Sequence, residues 1–228
     1  AGVETTTGPL GQGFANGVGM AVAEARLAAH FNRPGHSVID HYTYVLSGDG
    51  CMMEGITSEA ASLAGTLGLG KLIVLYDSNR ISIEGDTQLA FREDVKQRFA
   101  AYGWQVLQVA DGNDLDAIEA ALVEARAEQS RPTMIEVVTE IGYGSPAKQG
   151  KASAHGEPLG EENLTEMKET LGWTAPPFTV PEPVRQLGDQ VVEKGMKLEA
   201  AWEMMLSDYF SAYPDMEKEW DQWFGEAW

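Results

Sequence analysis

Cysteine is nearly absent: Cys51 stands alone in 228 residues, so no disulfide can close within the chain and a reducing compartment is expected. Basic residues are scarce, with 16 Lys and Arg against 35 Asp and Glu, a formal net charge of −19. That balance excludes a nucleic-acid binder, whose phosphate contacts need a basic face, and argues equally against an anionic membrane surface. The acid excess reads as solvated surface. No apolar run is long enough for a transmembrane helix, and no charged-then-apolar leader marks secretion, so a cytoplasmic protein is expected. No internal repeat is evident. The chain starts at Ala1 without an initiator methionine and enters a glycine-rich motif at once, which reads as an interior start with protein missing before it.

What is present is a globular composition, 43% hydrophobic, and an alternation of β-like and α-like segments. Strands are expected at Tyr42–Ser47, Leu72–Tyr76, Gln105–Val109 and Thr133–Thr139. Between them fall a helix from Gln12 to about Asn32 with Phe14, Val18, Ala21, Ala25 and Ala28 on one face, and a helix over Glu54–Leu69 with Ala60, Ala61, Leu63, Ala64 and Leu67 inward. Gly17 and Gly19 in the first of these imply close backbone packing, and His30 near its end would cap carbonyls. Further helices are expected at Asp94–Tyr102 and at Asp114–Glu128, the latter capped by Asn113 with Leu115, Ile118, Leu122 and Ala125 inward. The pattern predicts an α/β fold, a three-layer open parallel sheet. Prolines from Ala175 to Pro181 mark an extended connector. A helical C-terminal tail follows from about Pro183, carrying an apolar stripe of Leu198, Trp202, Met205, Leu206, Tyr209, Phe210 and Tyr213. The expected domains are residues 1–180, incomplete at the N-terminus, and a linker or tail at 181–228.

The organising stretch is Leu46–Ile83. Strand, G-D-G turn, helix, strand and polar turn form a βαβ unit, so both strands end on one edge of the sheet. Asp49 then lies just past one strand and Asn79 just past its neighbour, roughly 5 Å away. A carboxylate, an amide oxygen and a backbone carbonyl are hard donors suited to Mg2+ or Ca2+, and a phosphate-bearing ligand would complete the shell. Gly48 and Gly50 permit close approach of a diphosphate to the backbone, and the helix start offers free N–H groups. Alone, G-D-G is more often an acidic turn opening a helix; Asn79 with Ile81 and Ile83 shifts the balance. Asp49 is expected to be an exposed turn carboxylate, and Cys51 a small buried apolar residue. Gly11-Gln12-Gly13 does not make a dinucleotide loop, because no strand precedes it and Gly17 comes one position late.

With this pattern the sequence resembles the thiamine-diphosphate enzymes, and among them transketolase, sharing T-T-T-G-P-L-G-Q-G, D-S-N-R-I-S-I-E-G and I-G-Y-G-S…H-G between Thr5 and Gly156. The resemblance implies transfer of a two-carbon ketol unit between sugar phosphates, with thiamine diphosphate and Mg (or Ca) as cofactors. It implies a metal held by Asp49, Asn79 and the Ile81 carbonyl. Gly8, Pro9, Leu10, Gly50, Asn79, Ile83, Ile141 and His155 would contact the cofactor, with His155 also the catalytic candidate near the substrate. A lone loop histidine is usually incidental; the match around it raises its standing. Glu54 would be either a first-turn charge or, by the resemblance, part of a homodimer interface joining two cofactor sites. The activating glutamate and the pyrimidine pocket would come from a further domain, expected beyond Trp228. This chain alone is therefore expected to be inactive. A non-catalytic binding or assembly subunit of a split enzyme, or a dihydroxyacetone synthase-like enzyme, are the alternatives. The Gly144–Gly156 segment, glycine-rich and cationic through Lys148 and Lys151, reads as an anion-binding lid with few apolar anchors.

Overall fold

The computed structural model describes residues 2–225; Ala1 and residues 226–228, which the expected domain ranges include, lie outside the described residues. The chain divides into two compact units, residues 1–23 with 41–173, and residues 24–40 with 174–228.

The first unit is built on four parallel strands in the order β1-β2-β6-β5: β1 (Thr43–Gly48), β2 (Leu72–Ser78), β5 (Gln105–Val109) and β6 (Thr133–Val138). Each begins or ends within two residues of the expected bounds, and β1 and β2 pair in parallel as the metal argument required. Alternation along β2 splits the core between two faces. Leu72, Val74 and Tyr76 pack with α1 (Gln12–Phe31), α3 (Gly55–Leu67) and α4 (Val95–Ala101). Ile73 and Leu75 pack with α5 (Leu115–Ala127) on the other side. These are the three layers. Gly17 seats α1 on β1, since a Cβ there would fall 2.3 Å from the Val45 side chain; Gly19 faces open space and has no such role.

Several expectations need correcting. The helix after the G-D-G turn is broken at Glu54 into α2 (Asp49–Met53) and α3. Its inward face is Thr57, Ala61 and Ala64, whereas Leu63 and Leu67 are each 51% exposed. Small residues sit against the sheet and the leucines lie on the opposite side of the turn. In α5, Leu115 is exposed, and the cap is Asp114, whose carboxylate accepts from Ala117 N–H. Asn113 instead donates to Asp111. The polar turn at Asn79 continues into a two-residue ribbon, β3 (Ile81–Ser82) antiparallel to β4 (Gly85–Asp86). Cys51 is half-buried. A helix that the periodicity did not announce, α6 (Glu161–Thr170), follows the glycine-rich segment.

The second unit gathers Phe31, Val38, Ile39 and Tyr209 with α7 (Glu182–Ala212) and α8 (Pro214–Phe224). The tail is thus helical, as one 31-residue helix followed by a second that starts on Pro214. Tyr209 donates its hydroxyl to the Phe31 carbonyl at 2.6 Å, and Trp202 its indole N–H to the Val38 carbonyl at 2.9 Å. His30 does not cap carbonyls: its Nε2 lies 2.8 Å from Glu219 Oε1. Met205, Leu206, Phe210 and Tyr213 of the apolar stripe pack here, while Leu198 is exposed. Among the described residues no helix is long and apolar enough to cross a membrane.

Candidate functional site

Parallel pairing puts Gly48 opposite Asp77 and Ser78 opposite Val138, so the turns after β1, β2 and β6 leave one edge of the sheet. In open parallel sheets that edge carries the functional loops. Asp49 is the first residue of α2 and is only 5% exposed, contrary to the exposed turn carboxylate expected. Its Oδ2 accepts the backbone N–H of Asn79 at 3.0 Å and of Arg80 at 2.9 Å, and its Oδ1 accepts the Tyr76 hydroxyl at 2.5 Å. Arg80 itself adopts φ +63°, a left-handed conformation unusual for a residue other than glycine. Asn79 Oδ1 in turn accepts Ile81 N–H at 3.0 Å. Asp49, Asn79 and Ile81 are therefore brought together by the two turns.

Burial raises the Asp49 pKa above the usual carboxylate value. The Tyr76 hydroxyl and the Arg80 and Asn79 amides pull it back down, and the nearby Asp77 charge adds to the rise. Burial and then the bond to Asp49 push the Tyr76 phenol well above its ordinary value.

The T-G-P-L turn reaches the same place. A Cβ on Gly50 would meet Leu10 Cδ1 at 3.2 Å, so Leu10 rests on the G-D-G turn. Gly11, at φ +76°, is wedged against Ile56, Glu54 and Thr57 at the start of α3. Gly8 and Pro9 are exposed, with the Pro9 carbonyl accepting Gln12 N–H, and Cβ atoms on Gly8 or Gly48 would meet open space. Two apolar side chains are left in solvent beside this cluster: Leu10 and Ile83, the latter 68% exposed at the tip of the β3–β4 ribbon. Glu54 is exposed at the junction of α2 and α3.

The segment after β6 is folded on itself. Ile141, half-buried, accepts Gly150 N–H through its carbonyl, and Gly142 lies against Ala154. It is better anchored than the composition suggested, because Ser145 is fully buried and Gly144 sits against Leu171. His155 follows a short turn at Ala152–Ala154, fixed through its backbone N–H while the residue is exposed. No hydrogen bond or ion pair joins His155 to Asp49 or Asn79; the sheet topology relates them.

Two clefts flank the cluster. One, of about 450 Å3, is lined by Asp49, Tyr76, Ser78, Arg80, Lys96 and Glu136 together with the 87–95 segment. The other, of about 460 Å3, lies between Asn79, Arg80, Asp111, Thr139, Glu140 and Tyr143. Neither gathers the whole candidate set. Sequence reasoning missed Tyr76, Ser78 and Glu136. The one available signal was a tyrosine ending an otherwise aliphatic buried strand, since a buried phenol needs a partner.

Residues 1–226 match the family described as transketolase, thiamine diphosphate binding domain. The chain belongs to that family. Among curated transketolases, that of Nostoc sp. is 54% identical over 98% of this chain, and that of Geobacillus stearothermophilus 56% over 94%. Of solved structures, the transketolase from Leishmania mexicana superposes with a TM-score of 0.91 at 50% identity over 94% of the chain. A Pichia stipitis transketolase in complex with sedoheptulose-7-phosphate superposes at 0.93 and 43% identity over 96%. The chain spans about a third of the length of each of these transketolases: 33% of the first, and 32% of the other three.

Proposed function

We propose that the chain forms the diphosphate- and metal-anchoring part of a transketolase that moves a two-carbon ketol unit from ketose phosphates to aldose phosphates. The carrying observation is the Asp49 carboxylate locked against the Asn79 turn at the ends of two adjacent parallel strands. The donor set fits a hard divalent ion. Among the described residues no three His, Cys, Asp or Glu side chains are grouped to hold a metal, so an ion here takes one carboxylate and neutral oxygens. One carboxylate leaves a net charge that an anionic diphosphate balances, which suits Mg2+ or Ca2+ shared with a phosphate ligand. Asp49, the Asn79 amide oxygen and the Ile81 carbonyl are the protein ligands.

The open space over Gly8 and Gly48 supports close approach of the cofactor. Leu10, Ile83 and Ile141 supply apolar contact to its rings, Gly50 keeps the backbone accessible, and Gly8 and Pro9 shape the approach. His155 donates a ring N–H to the diphosphate and to substrate beside it. Bound thiamine diphosphate supplies the carbanion-stabilising chemistry of ketol transfer. The chain's own residues neutralise, orient and shield. Activation of the cofactor's pyrimidine falls to a partner domain, so the chain alone is inactive. The assembly is a cytoplasmic homodimer with Glu54 at its interface. The 1–180 segment is the cofactor domain, and 181–228 its linker.

The test is calorimetric titration of thiamine diphosphate with and without Mg2+, in a polypeptide that carries this sequence and extends to the full length of its relatives. Asp49→Asn keeps the shape and removes the charge. Cofactor affinity is expected to fall at least tenfold, about 1.4 kcal/mol. Unchanged Mg2+-dependent uptake would remove Asp49 from the ligand set.

A further inference from the structure

The Asp49 carboxylate has three protein donors, and they leave it little freedom. Two are backbone amides on Oδ2, and the third is the Tyr76 hydroxyl on Oδ1. A carboxylate oxygen accepts about two hydrogen bonds. Oδ2 is therefore filled, and Oδ1 keeps one direction open. Without the phenol, Oδ1 would have no protein donor and the carboxylate could turn about its Cβ–Cγ bond toward either one-oxygen or two-oxygen binding.

Tyr76 is itself held. Its ring is 3% exposed on β2, within the core shared with α1, α3 and α4. Beside it Ser78 Oγ donates to Glu136 Oε1 at 3.3 Å, and Glu136 is tied to Lys96 at 3.1 Å and to Gln108 at 2.8 Å. Polar groups thus line the sheet from β5 to β2, beside the phenol that bonds Asp49.

We propose that Tyr76 is a positioning residue for the divalent ion: its hydroxyl fixes the Asp49 carboxylate so that a single lone pair of Oδ1 faces the metal. This rests on the metal reading of Asp49 given above. The consequence is selectivity. Mg2+ demands near-octahedral, one-oxygen coordination, whereas Ca2+ accepts irregular shells and two-oxygen carboxylates. Removing the hydroxyl weakens Mg2+ much more than Ca2+. Partners behind a metal ligand change affinity by roughly ten- to a hundredfold.

The experiment uses the full-length form with Tyr76→Phe, titrating Mg2+ or Ca2+ at fixed thiamine diphosphate and reading cofactor binding by calorimetry. The expected result is a rise of about tenfold in half-saturating Mg2+ with a rise of less than about threefold for Ca2+. Thermal melts of the metal-free proteins check that the fold is kept. Equal losses for both ions, or no change in either, overturn the positioning role while leaving the cofactor reading standing. Absence of metal-dependent uptake by the unsubstituted protein sinks the cofactor reading, and the positioning role with it.

Discussion

The turns after β1 and β2 and the long segment after β6 leave the same edge of one sheet, and they solve opposite problems. In the first pair the candidate side-chain oxygens are bonded within the protein: Asp49 to Tyr76, Asn79 and Arg80, and Asn79 to Ile81. In the second, Gly142, Gly144, Gly150 and Gly156 all take left-handed φ values, and His155 is exposed with its backbone N–H bonded to Ala152. A metal ligand gains from being fixed in advance, because the cost of ordering it is met on folding rather than on binding. The lid expected of the second segment would instead have to open and close, and such elements come from the less stable parts of a fold.

The sharpest way to break this contrast is a matched pair of glycine substitutions. Gly11 and Gly156 both have left-handed φ, +76° and +70°, so alanine is strained by about 1–2 kcal/mol at each. At Gly11 the added Cβ also falls within 3.0 Å of Ile56, Glu54 and Thr57, whereas at Gly156 it meets nothing within 4 Å. Overpacking adds about 1–3 kcal/mol at the first site only. Urea unfolding is expected to show Gly11→Ala losing about 2–5 kcal/mol and Gly156→Ala about 1–2 kcal/mol. Equal losses would mean that the N-terminal turn is no more rigidly seated than the loop.

Hydrogen exchange gives a second, smaller contrast. Amides between Gly144 and Gly156 are expected to slow about tenfold on adding thiamine diphosphate with Mg2+. Those of Asn79, Arg80 and Ile81, already bonded to Asp49 and Asn79, should change little. Equal slowing in both regions would erase the distinction.

The same contrast explains what the sequence could tell. Parallel strands with apolar runs place their following residues on one edge, so Asp49 and Asn79 could be matched before any coordinates. The four strands were legible for the same reason. The burial of Asp49 was not, because it depends on Tyr76 at the end of L-I-V-L-Y, where a phenol reads as one more core side chain. Helix faces failed where size misled: at Leu63 and Leu67 the larger residues point away, and Ala61 and Ala64 let α3 approach the sheet. The break at Glu54 likewise left no mark in the apolar pattern. His155 had only its motif to support it, since no periodic constraint acts on an exposed loop.

The smallest expected effect concerns the metal-free protein, where fixing Asp49 in advance works against stability. Burial, outweighing the Tyr76, Arg80 and Asn79 bonds, holds its folded pKa above the unfolded value of 3.8. A raised carboxyl pKa means that the folded state binds its proton more tightly than the unfolded state. The contribution to stability is complete below about pH 3.8 and is lost as pH rises through the folded value. Asparagine at this position has no charge to bury. Its amide oxygen still accepts the Asn79 and Arg80 amides, and its NH2 donates to the Tyr76 oxygen. In chelator-treated protein the urea midpoint of Asp49→Asn should therefore gain on the unsubstituted chain as pH climbs from about 4 to about 7. The substitution proposed to weaken cofactor binding is thus expected to strengthen the empty fold, the opposition expected where a ligand site is kept at a cost to stability. A midpoint difference that stays flat across this range would mean that the three donors already compensate the buried charge, and that the turn is not merely ordered in advance but electrostatically complete without an ion.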